Sequence, residues 1–214
     1  MIVCDMAGTT INESGMIYNS IFNTLNKLGF VASVSHKKEW YGRDKSEVME
    51  EHIRNINKNV ENGIFEKAEE LLINDLTDKY FTSDKVKLID ESLPSFCKDL
   101  HTNDILVTLN TGYPATFQEK IIDHFKMDRY VYDWISSSEV VKGRPHPYMI
   151  NELAKRHSIK SKNIAKFGDT INDIKEGKNA NCGLVIGVLS GANNKEELLD
   201  AGADLILDKI TDLE

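Results

Sequence analysis

The clearest chemistry in the sequence begins at Asp5, an acid at the end of a short apolar run. Residues 5–10 read DMAGTT, and the glycine permits the tight turn that the chain needs directly after a strand. A carboxylate in such a place can act as a nucleophile and form a covalent intermediate. Asp5 could instead only cap the following helix, because Asp is a favoured N-cap residue. Both interpretations stand until the other motifs are considered.

Two further motifs carry groups suited to binding phosphate. Residues 110–113, NTGY, offer the Thr111 hydroxyl and backbone N–H groups to a phosphoryl oxygen, although a helix-capping threonine would have the same pattern. Residues 142–147, KGRPHP, place Arg144 at the start of a predicted helix, where its planar guanidinium suits a phosphate or a carboxylate. A surface arginine is the alternative. His146, between two prolines, is interpreted as structural.

The fourth motif is a pair of acids in residues 167–173, which read FGDTIND. Asp169 and Asp173 lie four positions apart where a predicted strand meets a predicted helix. That spacing lets both carboxylates approach one hard cation through oxygen. The motif therefore predicts a metal site.

An alternation of short apolar runs and amphipathic segments positions these motifs. Such an alternation predicts buried parallel strands joined by helices, which is a doubly wound α/β sheet. The predicted strands are 2–4, 105–109, 131–135, 164–167, 184–188 and 205–207. The predicted helices between them are 115–125, 147–157, 172–179 and 195–201. The four motifs then fall at the ends of consecutive strands, along one edge of the sheet.

The interval from residue 11 to about residue 83 breaks this pattern, because it contains no convincing strand. Its amphipathic stretches at 17–28, 45–56 and 64–80 predict an all-helical insertion. The sequence therefore predicts a helical cap over 12–83 and an α/β core formed by 1–11 and 84–214. Because the insertion follows the first strand, the cap should lie over the carboxyl ends of the strands, where open α/β sheets bind ligands.

The four motifs in this order resemble those of the haloacid dehalogenase superfamily, and the resemblance covers essentially the whole chain. It implies a hydrolase in which Asp5 attacks phosphorus and becomes an aspartyl phosphate. It also implies that Thr111 and Arg144 balance the charge on the phosphoryl oxygens. The loops around the substrate would be shaped by Gly8, Thr9 and Gly112, with Tyr113 at the cap interface unless it is only a packed aromatic.

The same resemblance implies a Mg²⁺ cofactor. The metal would be held by Asp5, the backbone carbonyl of Ala7 and Asp169, with Asp173 acting directly or through a water. Oxygen ligands of this kind suit Mg²⁺, and a metal there would shield Asp5 from an incoming anion.

Ala7 points to one branch of the superfamily. The usual phosphatase signature has a second Asp two residues after the nucleophile, which serves as general acid and base, whereas this chain has Ala7. DxAGTT, TGY, GRPxP and GDTxxDxxEG together resemble the phosphonatase branch, which cleaves a phosphorus–carbon bond. In that branch a cap lysine forms a Schiff base with an aldehyde, so that the carbon leaving group departs as an enamine. The implied substrate is phosphonoacetaldehyde or a relative.

Lys45 stands at the corresponding place in the cap, three residues after Gly42. A Schiff-base lysine needs a depressed pKa, and burial against Trp40 and Tyr41 beside Arg43 is expected to provide it. Tyr41 is also a candidate substrate-binding residue.

The cap departs from the family pattern. Val48 replaces a histidine, with His52 one helical turn further on, and Tyr41 replaces a methionine. A solvated surface lysine is therefore an alternative for Lys45.

Three other functions remain possible from the residues. One is a phosphatase for a small phosphate ester, whose leaving group is activated or takes a proton from a cap residue such as Tyr41 or His52. A dehalogenase acting through Asp5 would leave Asp169 and Asp173 without a task. The last is a non-catalytic phosphate-binding module that has lost turnover along with its second acid.

Composition limits the partners and the location. With 26 Lys and Arg against 34 Asp and Glu, the net charge of −8 argues against nucleic acid or an anionic membrane as a partner. Three separated cysteines are expected to be buried free thiols, and the first apolar run is too short for a signal peptide, so a cytoplasmic location is predicted. The apolar face of Ile17, Phe22 and Leu25 could pair two chains as a homodimer or pack inside the cap.

Overall fold

A computed structural model describes residues 1–61 and 63–213 of the protein. Its main feature is a six-stranded sheet in the order β5-β4-β1-β6-β7-β8, with every neighbouring pair parallel. The strands of this sheet are β1 (Ile2–Asp5), β4 (Val107–Thr111), β5 (Asp133–Ser136), β6 (Ala165–Gly168), β7 (Leu184–Val188) and β8 (Leu205–Leu207). The predicted α/β class with a parallel sheet is confirmed. Parallel strands need helical crossovers, and the apolar runs that predicted these strands are largely buried, except in β8, where Leu205 is exposed.

The register of the sheet sets the position of the motifs. Asp5, the last residue of β1, pairs with Asn110 of β4, and Cys4 pairs with Phe167 of β6. Thr111, the last residue of β4, pairs with Ser136 of β5. Each motif therefore leaves the sheet at the same edge, where the carboxyl ends of the strands converge.

The helices agree closely with those predicted from periodicity. They are α1 (Met16–Lys27), α2 (Lys37–Trp40), α3 (Lys45–Ile56), α4 (Ile64–Tyr80), α5 (Leu93–Thr102), α6 (Ala115–His124), α7 (Tyr148–Arg156), α8 (Ile171–Asn179) and α9 (Lys195–Asp200). The sequence analysis did not predict α2 or α5. It also missed a short antiparallel pair, β2 (Ile11–Asn12) with β3 (Lys87–Leu88), because two-residue strands carry no measurable alternation.

The stretch between β2 and β3, called here the helical segment, contains α1 to α4. Its helices pack against one another, with Ile21 and Leu25 of α1 and Leu72 and Leu76 of α4 buried, and these residues belong to the same apolar cluster as residues of the sheet. The β2–β3 pair joins its two ends at Ile11 and Leu88. The predicted division at residues 12 and 83 stays a prediction.

The apolar face of α1 packs within the chain. Ile17 and Leu25 are buried, and Phe22 lies against Trp40 with the ring centroids 5.6 Å apart. In the structure this face therefore packs inside the chain rather than being open to pair with a second chain. A homodimer stays a prediction, and the α1 face no longer supports it.

Two further expectations concern the thiols and membranes. Cys4 and Cys97 are buried and Cys182 is partly buried, and all three are free thiols. Within the described ranges, no helix has the length and apolar character needed to cross a bilayer.

Candidate active site

A cavity of about 360 Å³ lies between the carboxyl ends of the strands and the helical segment. One wall comes from the strand ends and their loops, and the other from the helical segment. The strand-end wall includes Asp5, Ala7, Gly8, Thr111, Gly112, Tyr113, Arg144 and Asp169. The helical-segment wall includes Glu13, Tyr18, Lys37, Tyr41 and Lys45. The structure thus brings the predicted residues of both parts to one space, except Thr9 and Asp173, which lie behind it.

Asp5 faces the cavity from the end of β1 and is only 5% exposed. Its carboxylate Oδ1 lies 2.6 Å from Nη1 of Arg144. Burial raises the pKa of Asp5, and the nearby Arg144 opposes that rise. A carboxylate held against an arginine at a strand end is placed to attack an anionic phosphorus centre.

The guanidinium of Arg144 contacts several buried groups besides Asp5. Its Nη2 donates to the backbone carbonyl of Asn110 at 2.8 Å, and its Nε lies 2.9 Å from Oε2 of Glu176 and 3.1 Å from Oδ1 of Asp173. Although burial opposes it, the charges of Asp173 and Asp5 raise the pKa of this guanidinium. The charge of Arg144 is therefore permanent, and its orientation is fixed from below the cavity.

Asp5, Asp169 and Asp173 form a buried cluster in which one carboxylate oxygen of each lies within 4.8 Å of the others. Asp169 Oδ2 accepts a hydrogen bond from the Ala192 N–H at 2.7 Å, and Oδ1 accepts one from the Thr9 hydroxyl at 3.3 Å. Burial, with the charges of Asp5 and Asp173, raises the pKa of Asp169 well above its usual value. Repulsion between buried carboxylates is relieved by a divalent cation, so this all-oxygen set fits Mg²⁺.

Gly8 explains how close the loop after β1 comes to this cluster. Its backbone is in the left-handed region, with φ at 89°, and a Cβ built on it would lie 2.5 Å from Oδ2 of Asp169. Any other residue would therefore push Asp169 out of the cluster. Thr9 is fully buried and bonds to Asp169, so its role is to hold that carboxylate.

Asp173 is held from a second direction. Its Oδ2 accepts from the Thr170 hydroxyl, at 2.5 Å, and Oδ1 lies 3.0 Å from Nζ of Lys166. Although burial pushes its pKa upward, Arg144 and Lys166 bring the pKa of Asp173 below its usual value. Asp173 is thus kept ionised beside the cavity.

Sequence reasoning missed the ion network beneath the cluster. Lys166, inside β6, is 0% exposed, and its Nζ lies 2.7 Å from Oδ1 of Asn110 and 3.3 Å from Oε2 of Glu176. Asn110 in turn donates to Glu176 at 3.0 Å. A charged residue within an apolar run was the available signal, because a buried lysine needs a buried anion.

Thr111 and Gly112 both line the cavity wall. Thr111 is buried, and its hydroxyl oxygen accepts from the Tyr113 N–H at 3.2 Å, which leaves its proton to donate. The carbonyl of Gly112 accepts a hydrogen bond from the backbone N–H of Lys45 at 3.0 Å. Tyr113 is buried with its ring edge-on to Phe117, and its hydroxyl has no hydrogen-bond partner among the described residues.

Lys45 begins α3 and is only 6% exposed. Its Nζ donates to the carbonyl of Arg43 at 2.8 Å and lies 5.3 Å from the centroid of the Tyr18 ring. Among the described residues it has no carboxylate within 4.0 Å. Burial lowers the pKa of Lys45, although the charge of Asp5 opposes this. Such an amine loses its proton more readily than a surface lysine.

The aromatic surroundings of Lys45 differ from the expectation. Tyr41 lines the cavity, as predicted, but the ring beside the amine is Tyr18, whose centroid lies 5.2 Å from that of Tyr41. Trp40 instead stacks on His36 and meets His52 edge-on. Sequence reasoning could not find Tyr18, because it lies 27 residues before Lys45 on another helix.

His52 lies outside the cavity wall. Its Nε2 is 3.2 Å from the backbone carbonyl of Val31, and burial lowers its pKa. Of the two cap residues suggested as proton donors for an ester phosphatase, only Tyr41 borders the cavity.

Residues 1–181 match the model of a family of haloacid dehalogenase-like hydrolases. The protein belongs to this family.

The curated relatives include two activities. A phosphoglycolate phosphatase from Vibrio parahaemolyticus is 27% identical over 116 residues, which are 54% of this chain and 50% of that protein. A phosphonoacetaldehyde hydrolase from Parabacteroides distasonis is 32% identical over 139 residues, covering 53% of this chain and 52% of its own. The chain thus spans about half the length of the curated relatives that it matches.

Solved structures agree on the fold. A phosphonoacetaldehyde hydrolase-like protein from Oleispira antarctica superposes with a TM-score of 0.80 at 21% identity, covering 100% of this chain and 89% of its own. A hydrolase from Pseudomonas syringae superposes with a TM-score of 0.85 at 15% identity, and the match covers 99% of this chain and 94% of that one. Likeness at such identities is evidence of shared fold alone.

Proposed function

We propose that the protein is a Mg²⁺-dependent hydrolase that cleaves the phosphorus–carbon bond of a small phosphonate aldehyde, phosphonoacetaldehyde or a relative. The observation that carries the proposal is the placement of Lys45. A buried amine with a lowered pKa and no carboxylate partner among the described residues borders the same cavity as Asp5. Ala7, two residues after Asp5, cannot protonate a leaving group.

At the phosphoryl end, Asp5 attacks phosphorus and becomes an aspartyl phosphate, which water then hydrolyses. Arg144 and the hydroxyl of Thr111 stabilise the charge on the phosphoryl oxygens. Mg²⁺ would be held by Asp5, the carbonyl of Ala7 and Asp169, with Asp173 directly or through a water, and it supplies positive charge that lowers repulsion between Asp5 and the substrate.

At the other end, Lys45 forms an imine with the aldehyde. Protonated imine nitrogen accepts the electron pair of the breaking phosphorus–carbon bond, so the leaving group departs as an enamine rather than as a carbanion. Imine formation needs the neutral amine, and burial of Lys45 favours that form. The helical segment then acts as the predicted cap, because it supplies Lys45 to a cavity whose phosphoryl end comes from the sheet.

A second candidate is a phosphatase for a small phosphate monoester. The matches to phosphoglycolate phosphatases support it, since those relatives hydrolyse an ester as their name states. In that case the Asp5 half of the mechanism is unchanged, and Lys45 binds an anionic leaving group as an ammonium. A cytoplasmic location and the absence of a nucleic-acid partner remain predictions from composition.

The test is phosphate release from phosphonoacetaldehyde and from a panel of small phosphate esters, with Mg²⁺ or EDTA. Lys45→Arg is the key variant, because arginine keeps the charge and cannot form an imine. Lys37→Arg is the matched control, since Lys37 also borders the cavity and also lies over the Tyr18 ring, at 5.4 Å.

Two outcomes separate the candidates. Release from the phosphonate that needs Mg²⁺, Asp5 and Lys45 but tolerates Lys37→Arg would support carbon–phosphorus cleavage through an imine. Borohydride should then trap the aldehyde on Lys45, visible as added mass on the peptide that contains it. Release from esters alone, indifferent to Lys45→Arg, would leave the phosphatase.

A further inference from the structure

Glu13 is a buried acid in the cavity that neither half of the proposed mechanism uses. It follows β2 directly, is 6% exposed, and lines the same wall as Tyr18 and Lys45. Its Oε2 accepts a hydrogen bond from the Ile17 N–H at 2.8 Å, while Oε1 accepts none from the described residues. One oxygen of this carboxyl is therefore fixed, and the other has no hydrogen-bond partner among the described residues.

The groups that face Glu13 come from four helices and one loop. They are the amines of Lys37 and Lys45 and the phenols of Tyr18, Tyr80 and Tyr113. Neither lysine lies within 4.0 Å of its carboxylate oxygens. The hydroxyls of Tyr80 and Tyr113 are buried without hydrogen-bond partners in the described chain. Burial raises the pKa of Glu13 although both lysines oppose it, so a protonated fraction persists to higher pH than for a surface glutamate.

We infer that Glu13 is the general acid of the cavity and protonates the oxygen that departs at the helical-segment end. This inference rests on the proposed hydrolase function and supplies the proton donor that position 7 lacks. The donor comes from the helical-segment wall, which also carries Lys45, rather than from the loop after Asp5. General acid catalysis of this kind contributes about 10²–10⁴ in rate.

For a phosphonate aldehyde, the departing oxygen is the hydroxyl of the carbinolamine. Lys45 Nζ adds to the carbonyl carbon and a proton moves from nitrogen to oxygen, which gives that hydroxyl. The carbon–oxygen bond then breaks as Glu13 gives its proton, so that water leaves, the carbon–nitrogen double bond forms as an iminium, and Glu13 becomes a carboxylate. Its negative charge then lies on the same wall as the positive iminium.

For a phosphate ester, the departing oxygen is the alkoxide. Asp5 forms its bond to phosphorus, the phosphorus–oxygen bond breaks, and its electron pair stays on the oxygen, which takes the proton of Glu13. The products are the alcohol, the aspartyl phosphate and the Glu13 carboxylate. Water that attacks the aspartyl phosphate can then return a proton to Glu13.

A helix-capping role is the structural alternative, since Oε2 of Glu13 bonds to an N–H in the first turn of α1. Glu13→Gln separates the two roles, because the amide oxygen can still accept from Ile17 but the side chain has no acidic proton. The matched control is Glu139→Gln. Glu139 also accepts a backbone N–H, that of Ser136 at 2.6 Å, and it does not line the cavity.

The experiment compares wild type, Glu13→Gln and Glu139→Gln on whichever substrate class the wild type cleaves. On phosphonoacetaldehyde, Glu13→Gln should slow borohydride-trapped imine formation by about 10²–10⁴-fold and lose the fall in rate at high pH, with KM for the substrate little changed. On an alkyl phosphate, the hydrolysis rate of Glu13→Gln should fall by a similar factor. On p-nitrophenyl phosphate the rate should hardly change, because the phenolate leaves without taking a proton. Glu139→Gln should match wild type in each assay.

The failures are distinguishable. Imine trapped at the wild-type rate in Glu13→Gln, or equal losses on alkyl and p-nitrophenyl esters, would overturn the role of Glu13 and leave the proposed function intact. A wild type that releases no phosphate from either class would overturn both.

Discussion

Arg144 links the candidate nucleophile to the ion network beneath it, because Nη1 lies 2.6 Å from Asp5 Oδ1 while Nε lies 2.9 Å from Glu176 Oε2. One planar side chain thus contacts an acid that faces the cavity and an acid that does not. The orientation of Asp5 depends in this way on buried charges below the strand ends. Lysine at this position would carry the charge but not the fork.

Arg144→Lys is expected to lower both activity and stability. A lysine cannot contact Asp5 and Glu176 in the same geometry, so the charge at the phosphoryl end is misplaced and kcat falls. Arg144→Met removes the ion-pair partner of Asp5 and leaves Asp173 and Glu176 with Lys166 alone, so it should reduce the free energy of unfolding by about 3–5 kcal/mol. Denaturant unfolding and phosphate release measure the two effects.

Arg156→Lys is the control for Arg144. Arg156 is partly exposed and pairs with Asp133 at 3.3 Å, so its replacement should change the free energy of unfolding by less than about 1 kcal/mol. Equal losses from Arg156→Lys and Arg144→Lys would contradict the role given to the buried network.

Mg²⁺ is expected to stabilise the folded protein through the three acids. Binding only to the folded state adds about 2.7 kcal/mol at a concentration of 100 times Kd. Asp169→Asn should remove most of this response, because it deletes one ligand charge. It should also stabilise the metal-free protein, since it relieves repulsion with Asp5 and Asp173.

Thermal unfolding with Mg²⁺ or EDTA measures that change. Asp133→Asn, which removes an acid outside the cluster, should respond to Mg²⁺ as the wild type does. If Mg²⁺ does not change the Tm of the wild type, the proposal that a metal binds at this cluster is contradicted.

The pH dependence of imine formation follows from the lowered pKa of Lys45. The neutral amine is the reactive form, and a pKa below the ordinary 10.5 means that this form appears at lower pH than for a surface lysine. In Glu13→Gln, which removes the acid whose deprotonation lowers the rate at high pH, the rate of borohydride trapping on Lys45 should therefore rise with pH through a midpoint below 10.5. Peptide mass spectrometry after trapping measures the modified fraction of Lys45 at each pH. A midpoint at or above 10.5 would contradict a lowered pKa.

Much of the fold could be predicted from the sequence because the evidence for it is local. Six strands leave six apolar runs, and the predicted 184–188 and 205–207 agree with β7 and β8 to the residue. At the carboxyl ends of β1 and β4, the residues beyond the predicted runs are polar. Asn110 and Thr111 extend β4 because backbone pairing to β5 continues beyond the apolar run.

The site was predictable only where a motif lies at a strand end. Asp5, Thr111, Arg144 and Asp169 come together because the sheet register brings them together. Glu13 and Lys166 do not belong to a motif at a strand end. Their importance depends on contacts across the chain, Glu13 with the cavity and Lys166 with Asn110 and Asp173, and only the folded structure defines such contacts.

Gly112→Ala is expected to damage Lys45-dependent chemistry through a close backbone contact. A Cβ on Gly112 would lie 2.4 Å from the carbonyl oxygen of Arg43, which is the acceptor for Lys45 Nζ. The turn that carries Lys45 must then shift. Misplacement by about 1 Å can cost on the order of 10²-fold in rate.

The control for Gly112 is Gly29→Ala. A Cβ on Gly29 meets nothing within 4 Å, although φ there is 82°, so the variant strains the backbone outside the cavity wall. It should lower Tm without lowering the rate of imine trapping. If Gly112→Ala traps the imine on Lys45 at the wild-type rate, the turn adjusts to the added Cβ without moving Lys45, and the prediction is wrong.

Ala7→Asp is expected to shift the balance between the two candidate chemistries. Ala7 borders the cavity two residues after Asp5, so a carboxyl there could protonate an alkoxide leaving group from the phosphoryl end. Hydrolysis of alkyl phosphates should rise, by up to about 10²–10⁴-fold if proton transfer limits the rate, and should no longer depend on Glu13. Phosphonate cleavage should not gain, because its leaving group is a carbon that departs through the imine. Ala7→Asn, with the same shape and no acidic proton, is the matched control, and an equal gain in both variants would assign the effect to binding instead of proton transfer.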